Sequence, residues 1–165
     1  MPATLPKIDA VKLAKYLLAH SGPMSHLKLQ KLLYYVEAWH LAFFEQSIID
    51  EDFKAWLHGP VCVPVWHACK DISILNGGIK IKNDAAKPKV MSAIEAQLTK
   101  DQKQLIGDVL SVYGGKTAYH LECLTHSEEP WIKARGNTPP DEASSARISK
   151  DVMRKFYQSR LVKKK

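Results

Sequence analysis

The chain of 165 residues is 45% hydrophobic and 25% charged, with 24 basic and 17 acidic residues and a net charge of +7. These values are typical of one globular domain that needs no covalent staple, which we place at residues 1–165, with a basic tail at 161–165. Three cysteines without a CxxC pair exclude a secreted disulfide framework and favour reduced thiols in a cytoplasm. Lysines interrupt the N-terminal apolar stretch, and no apolar run approaches the roughly 18 residues of a spanning helix, so a signal peptide and a membrane protein are excluded.

Two helices are predicted at the start of the chain. Asp9 and Ser25 are residue types that cap helix N-termini, and apolar residues at helical spacing follow each of them over about 9–21 and 25–46. The second helix is apolar on two sides, so it lies at the centre of the core or against a partner, and we favour the core. Its inward positions are predicted as Leu29, Leu32, Leu33, Val36, His40 and Phe43.

The middle of the chain has weaker signals. Residues 53–57 alternate in a way that is typical of a short strand, and Gly59-Pro60 is typical of a turn. A helix is predicted over about 60–74, with Pro60 in its first turn. Residues 76–97 look irregular, although "GIKIK" at 78–82 would pair with "FKAWL" at 53–57 as a small β element.

Capping signals return in the last third of the chain. Thr99 and Gln102 form a capping box, Gly114-Gly115 ends the helix that follows, and Thr117 and Ser149 are suited to cap two more helices. The whole pattern predicts a mainly α, compact single-domain fold with a small β-hairpin.

A polar segment, "THSEEPWIKAR" at 125–135, stands out between the last two helices. One interpretation is a structural corner, in which Trp131 fills the core while Glu128 or Arg135 binds backbone groups. The other is a docking surface, because Trp and Arg are enriched at interface hot spots. The residues alone leave both open.

Histidines and cysteines raise the question of a metal site or an enzyme. The candidate sets are His58, Cys62, His67 and Cys69, and His120, Cys123 and His126. Neither set has the paired spacing of a structural zinc site. Cys62 at a helix start would have a lowered pKa, with His58 or His126 as its base in a Cys/His hydrolase, yet its flanking valines indicate a buried and inert thiol.

Two further ligand classes have little support. No glycine-rich phosphate-binding motif occurs in the chain. The excess of basic residues leaves a nucleic-acid-binding helical protein as an alternative, but no arginine-rich cluster stands out. No cofactor, metal or catalytic residue is therefore expected.

Three segments together resemble a known family. "KLQKLLYYVEAWHLA" at 28–42, "AWLHGPV" at 55–61 and "LTHSEEPWIKAR" at 124–135 resemble, in order and spacing, the Panacea domain family of SocA-like and GepA-like antitoxin domains. The resemblance covers about residues 8–160. It implies a mostly helical domain that neutralises a cognate toxin by direct protein contact, without catalysis, in bacteria or their phages. Since the family's toxins have unrelated folds, it does not identify the toxin, and it leaves homo-oligomers open.

The family motif also implies a set of site residues, without deciding whether they bind or only fold. They are Lys28, Gln30, Lys31, Tyr34, Tyr35, Trp56, His58, Gly59, Pro60, Thr125, His126, Glu129, Pro130, Trp131 and Arg135. The chain departs from the pattern at Val63, where the family often has proline, and Pro64 follows one residue later. We further predict that His58 hydrogen-bonds the polar segment at 125–135.

Overall fold

The computed structural model describes residues 3–69, 74–75 and 87–162. Its helices are α1 (Ala10–Ser21), α2 (His26–Phe44), α3 (Val63–Cys69), α4 (Lys87–Gln97), α5 (Lys100–Tyr113), α6 (Ala118–Ser127), α7 (Glu129–Arg135) and α8 (Lys150–Val162). Its strands are β1 (Met24–Ser25), β2 (Lys54–Trp56), β3 (Gly59–Val61) and β4 (Ile74–Leu75). The prediction of a mainly α fold with a small hairpin is confirmed. Within these residues, no helix has the length and apolarity to cross a bilayer.

The predicted caps define the helix starts. The Asp9 side chain accepts from the Lys12 amide at 3.1 Å, and the Ser25 hydroxyl accepts from the Lys28 amide at the same distance. The capping box of Thr99 and Gln102 has both of its hydrogen bonds. Local sequence therefore sets where these helices begin.

Helix α2 lies at the centre of the fold. It is contacted by α1, α3, α5, α6, α8 and β3, and nearly every side chain from Leu29 to Ala42 is buried. This confirms the core interpretation of its two apolar sides. Phe43 was predicted to point inward and is instead 56% exposed, although Leu41 and Ala42, which precede it on the last turn of α2, are buried.

The predicted strand at 53–57 exists, but its partner is different. β2 pairs antiparallel with β3, with Lys54 opposite Val61 and Trp56 opposite Gly59. Gly59 has a φ of +108°, which glycine adopts without strain, so the chain reverses at Leu57-His58 and returns as a strand. The segment "GIKIK", which was predicted to pair with this strand, lies outside the described residues.

The helix after the hairpin is shorter than predicted. Pro60 lies in β3, and α3 begins at Val63, so the proline in the first helical turn is Pro64. Residues 74–75 form β4, which pairs antiparallel with β1, so the predicted extension of the helix to 74 is also wrong.

Two segments without predicted helices are helical. Lys87–Gln97 forms α4, although it was expected to be irregular, because a proline in the first turn is compatible with a helix and Ile94 then reaches the core. The polar segment contains α7, which begins directly after α6 with Pro130 at its start. Because the segment is polar, its sequence did not indicate a helix. Two of the α7 side chains, Trp131 and Arg135, bind backbone carbonyls of β2.

Candidate functional site

The three motif segments meet around the β2–β3 hairpin. We call this region the hairpin corner, meaning β2 and β3 together with Gln30, Lys31, Thr125, Trp131 and Arg135. On the α2 side, Gln30 is fully buried. Its side-chain amide hydrogen-bonds the backbone of Cys62, directly after β3, as a neighbouring strand would. Its Oε1 accepts from the Cys62 amide at 2.8 Å, and its Nε2 donates to the Cys62 carbonyl at 3.2 Å. This double hydrogen bond fixes the exit of β3 on the first turns of α2.

Lys31 lies beneath the hairpin and is fully buried. Its Nζ donates to the Pro60 carbonyl at 3.3 Å. Burial lowers the pKa of Lys31 to about 7, while the charge of Glu122 acts in the opposite direction. A Cβ at Gly59 would lie 2.4 Å from Lys31 Cε, so the glycine allows the hairpin to lie directly on the lysine stem.

Helix α7 holds β2 from the other side through two buried side chains. Trp131 Nε1 donates to the Trp56 carbonyl at 2.9 Å, and Arg135 Nη1 donates to the Ala55 carbonyl at 2.8 Å. Arg135 Nη2 binds the Pro139 carbonyl at 2.8 Å and also the Glu142 carbonyl. The guanidinium lies 4.5 Å from the Trp131 ring centre, so one arginine joins α7, β2 and the following loop.

The two histidines of the motif lie on different sides of this arrangement. His126 stacks on Trp131 with ring centres 3.9 Å apart, and burial lowers its pKa, which favours the neutral ring. His58 lies at the hairpin tip with 66% of its side chain exposed, and its Nδ1 is 3.0 Å from Glu122 Oε2. The predicted bond from His58 to residues 125–135 is therefore wrong in its partner: the contact is with α6, one turn earlier.

Tyrosines continue the motif into the core. Tyr35 and Tyr157 both donate to Glu128 Oε1, at 2.8 and 2.7 Å. The Tyr157 hydroxyl also lies 3.3 Å from that of Tyr34, and the Tyr35 ring stacks on Tyr113 with centres 4.1 Å apart. Burial raises the pKa of Glu128, and the two tyrosine hydroxyls oppose that shift. Glu128, between α6 and α7, is thus bonded directly to α2 and α8, and the Tyr35 ring extends the contact to α5.

Most of the motif residues lie inside the protein. Those that are buried are Gln30, Lys31, Tyr34, Tyr35, Gly59, Pro60, Thr125, Pro130, Trp131 and Arg135. Lys28 is half-buried, with its Nζ on the Gly114 carbonyl at 2.6 Å, and Trp56 and His126 are also half-buried. His58 and Glu129 are exposed. The structure therefore brings the three segments together, mainly by internal contacts.

The sequence analysis did not predict an ion pair between buried Glu37 of α2 and Lys150 of α8. Glu37 is fully buried, its Oε1 accepts from the Ile48 amide at 2.8 Å, and its Oε2 is 2.7 Å from Lys150 Nζ. The available signal was an acidic residue four positions after Leu33, on a face that is otherwise apolar. The contact of Glu122 with His58 had no comparable signal, since Glu122 precedes the motif segment.

An open groove of about 370 Å³ lies on the outer side of the hairpin. Trp56 and Trp66, with ring centres 5.7 Å apart, form part of its wall. His26, His58 and Ser144 add polar groups. The groove is a mainly apolar concave surface, and the described residues that line it include no convergent set of catalytic groups.

The structure opposes the lowered pKa that a reactive Cys62 would need. Cys62 is fully buried, and burial raises the pKa of its thiol to about 12. The helix that was expected to lower the thiol pKa begins at Val63, but burial has the larger effect and raises that pKa. Among the described residues, no three His, Cys, Asp or Glu side chains are grouped to hold a metal ion.

These contacts define a mainly helical domain whose β-hairpin is held by buried Gln, Lys, Trp and Arg side chains. The family model "Antitoxin SocA-like, Panacea domain" matches residues 29–132, and the chain belongs to this family. The chain is also 32% identical over 133 residues to Antitoxin SocA of Caulobacter vibrioides, covering 75% of this chain and 69% of that protein. No solved structure matches the chain.

Proposed function

We propose that this protein is an antitoxin that neutralises a cognate toxin by direct protein–protein contact, without catalysis. The observation that carries the proposal is the family membership, with a curated antitoxin similar over most of both chains. Its toxin is a partner of unknown fold, and the three free cysteines favour a reducing cytoplasm as the place of action.

The buried motif supports a structural role for most of its residues. Gln30, Lys31, Trp131 and Arg135 each bind backbone groups of the hairpin or its flanks, and none of them is accessible to a partner. We therefore propose that the motif shapes the domain and that other, exposed side chains contact the toxin. Toxins of different shape would then be compatible with one internal framework.

Co-expression tests the function directly. Each gene next to that of this chain is expressed alone and together with it, and growth is followed. We expect one neighbour to stop growth alone and to be harmless beside the antitoxin. Purified toxin should then bind the antitoxin in a complex of defined stoichiometry by size-exclusion chromatography with light scattering. If every neighbour is harmless alone, or a toxic one stays toxic beside this protein, the proposed function is wrong.

A further inference from the structure

An aromatic surface lies where α2, α5 and α8 end, away from the hairpin corner. We define the aromatic face as Trp39, Phe43, Tyr113, Phe156 and Arg160. Trp39 and Phe43 are one turn apart on α2, with ring centres 6.3 Å apart, and Trp39 Nε1 donates to the Tyr113 hydroxyl at 3.0 Å. Arg160 lies 4.7 Å above the centre of the Phe156 ring, one turn earlier on α8. Buried Tyr157 links the two helices, since its ring is 5.2 Å from Trp39 and 4.9 Å from Phe156.

This face presents apolar and cationic groups to solvent. Phe43 is 56% exposed, which is unusual for a phenylalanine in a chain that buries most of its large apolar side chains. Trp39, Tyr113 and Phe156 are half-buried, and Arg160 is exposed. Trp, Tyr and Arg are the residue types that dominate hot spots in protein interfaces. Here Trp39 contacts Tyr113, and the charge of Arg160 acts on the Tyr113 hydroxyl.

Positive charge lies on one side of the face. Arg160 forms no ion pair with an acidic side chain of the described residues, and it acts on half-buried Glu128 only from a distance, while Glu128 Oε1 accepts from two tyrosines. Lys116 lies three residues after Tyr113, beyond the end of α5. Glu45, exposed at the end of α2, is the acidic residue next to the face in sequence. The cationic side is thus left for a partner to neutralise.

We infer that the toxin docks on the aromatic face, with an apolar contact over Phe43 and Trp39 and a carboxylate paired with Arg160. This inference rests on the proposed function. A second copy of this chain is a poorer occupant, because a two-fold contact would bring equal positive charges together. A nucleic acid is also poorer, because its phosphates need a row of cations, whereas the cations here lie on one side of an apolar centre.

The test uses full-length protein and the growth-inhibiting neighbour that wild-type protein neutralises. We expect Phe43→Ser and Arg160→Glu each to weaken toxin binding at least about tenfold in calorimetry, since the first removes the apolar contact and the second repels the toxin's carboxylate. Matched controls are Ile132→Ser on α7, where Ile132 is 48% exposed, and Arg147→Glu beside β2, where the arginine side chain is 65% exposed. Both controls should bind like wild type. Circular dichroism must show an unchanged melting temperature for all four variants.

A photo-crosslinking residue gives a readout that does not depend on affinity. Placed at Phe43 it should crosslink to the toxin, and placed at Ile132 it should not. Wild-type protection together with full binding by Phe43→Ser and Arg160→Glu would overturn the docking surface while leaving the proposed function intact. Crosslinks from position 43 to a second copy, or binding of a single-stranded oligonucleotide that these two variants abolish, would also overturn it. If wild-type protein protects against no neighbour, both proposals are wrong.

Discussion

Replacing Lys31 by methionine should make the protein more stable at neutral pH. The ammonium is fully buried and has the Pro60 carbonyl as its hydrogen-bond acceptor, and burial lowers its pKa from the ordinary 10.5 to about 7. At about 1.4 kcal/mol per pH unit, that difference corresponds to roughly 5 kcal/mol of burial penalty for the charged form. Methionine has a similar length and no charge, so Lys31→Met removes the penalty and loses a hydrogen bond of about 1 kcal/mol. We expect a net gain of a few kcal/mol at pH 7.

The sign of the pH dependence follows from the two states of Lys31. Between pH 7 and 10.5 the unfolded chain holds the proton and the folded chain does not, so wild-type stability rises with pH in this window. Below about pH 7 both states are protonated and the full penalty applies. The advantage of Lys31→Met should therefore shrink by roughly 3 kcal/mol between pH 7 and pH 9.5.

Urea unfolding of both proteins at several pH values from 6.5 to 9.5 measures this difference. Groups that titrate in both proteins, including the thiol of Cys62, cancel when the two curves are subtracted. Lys28→Met, on the same helix, controls for the loss of a lysine from α2. A difference between wild type and Lys31→Met that is constant with pH would refute the reasoning, and so would a variant less stable than wild type at pH 7. Either result would mean that the ammonium stays charged in the fold, held by Glu122.

Three other changes test separate parts of the structure. Gly59→Ala should lower the free energy of unfolding by more than about 2 kcal/mol, because φ is +108° and the new Cβ would lie 2.4 Å from Lys31 Cε; an unchanged urea midpoint would contradict this. Glu37→Gln should lower it by about 3 kcal/mol, since it leaves the ammonium of Lys150 without its charged partner, and a loss below 0.5 kcal/mol, typical of surface pairs, would show that the pair is not buried in solution. Cys62→Ser should still protect against the toxin in co-expression, and a folded Cys62→Ser without protection would favour catalysis by this thiol.

Sequence alone predicted most helix starts, because the caps are local. Asp9, Ser25, Thr99 and Thr117 each bind an amide within three residues, so neighbouring residues suffice to specify them. Strand β3 was assigned to the start of a helix, because Gly59-Pro60 is equally typical of a turn before a helix. Whether the segment becomes a strand or a helix depends on Gln30 and Trp131, which are distant in sequence. The partner of His58 was unpredictable for the same reason. Residues alone left the role of 125–135 open, and the contacts of Trp131 and Arg135 favour the corner.

The separation between the hairpin corner and the aromatic face has a physical consequence. Apart from removal of the Lys31 charge, changes at the corner leave buried polar groups without partners, at about 1–3 kcal/mol each, and so threaten the fold before they affect binding. Changes at Phe43 or Arg160 alter exposed side chains, whose effect on stability is usually within about 0.5 kcal/mol. If the toxin docks on the aromatic face, its identity is set by side chains that the fold does not require. The same interior is then compatible with different partners, and the motif that identifies the family does not determine which toxin is bound.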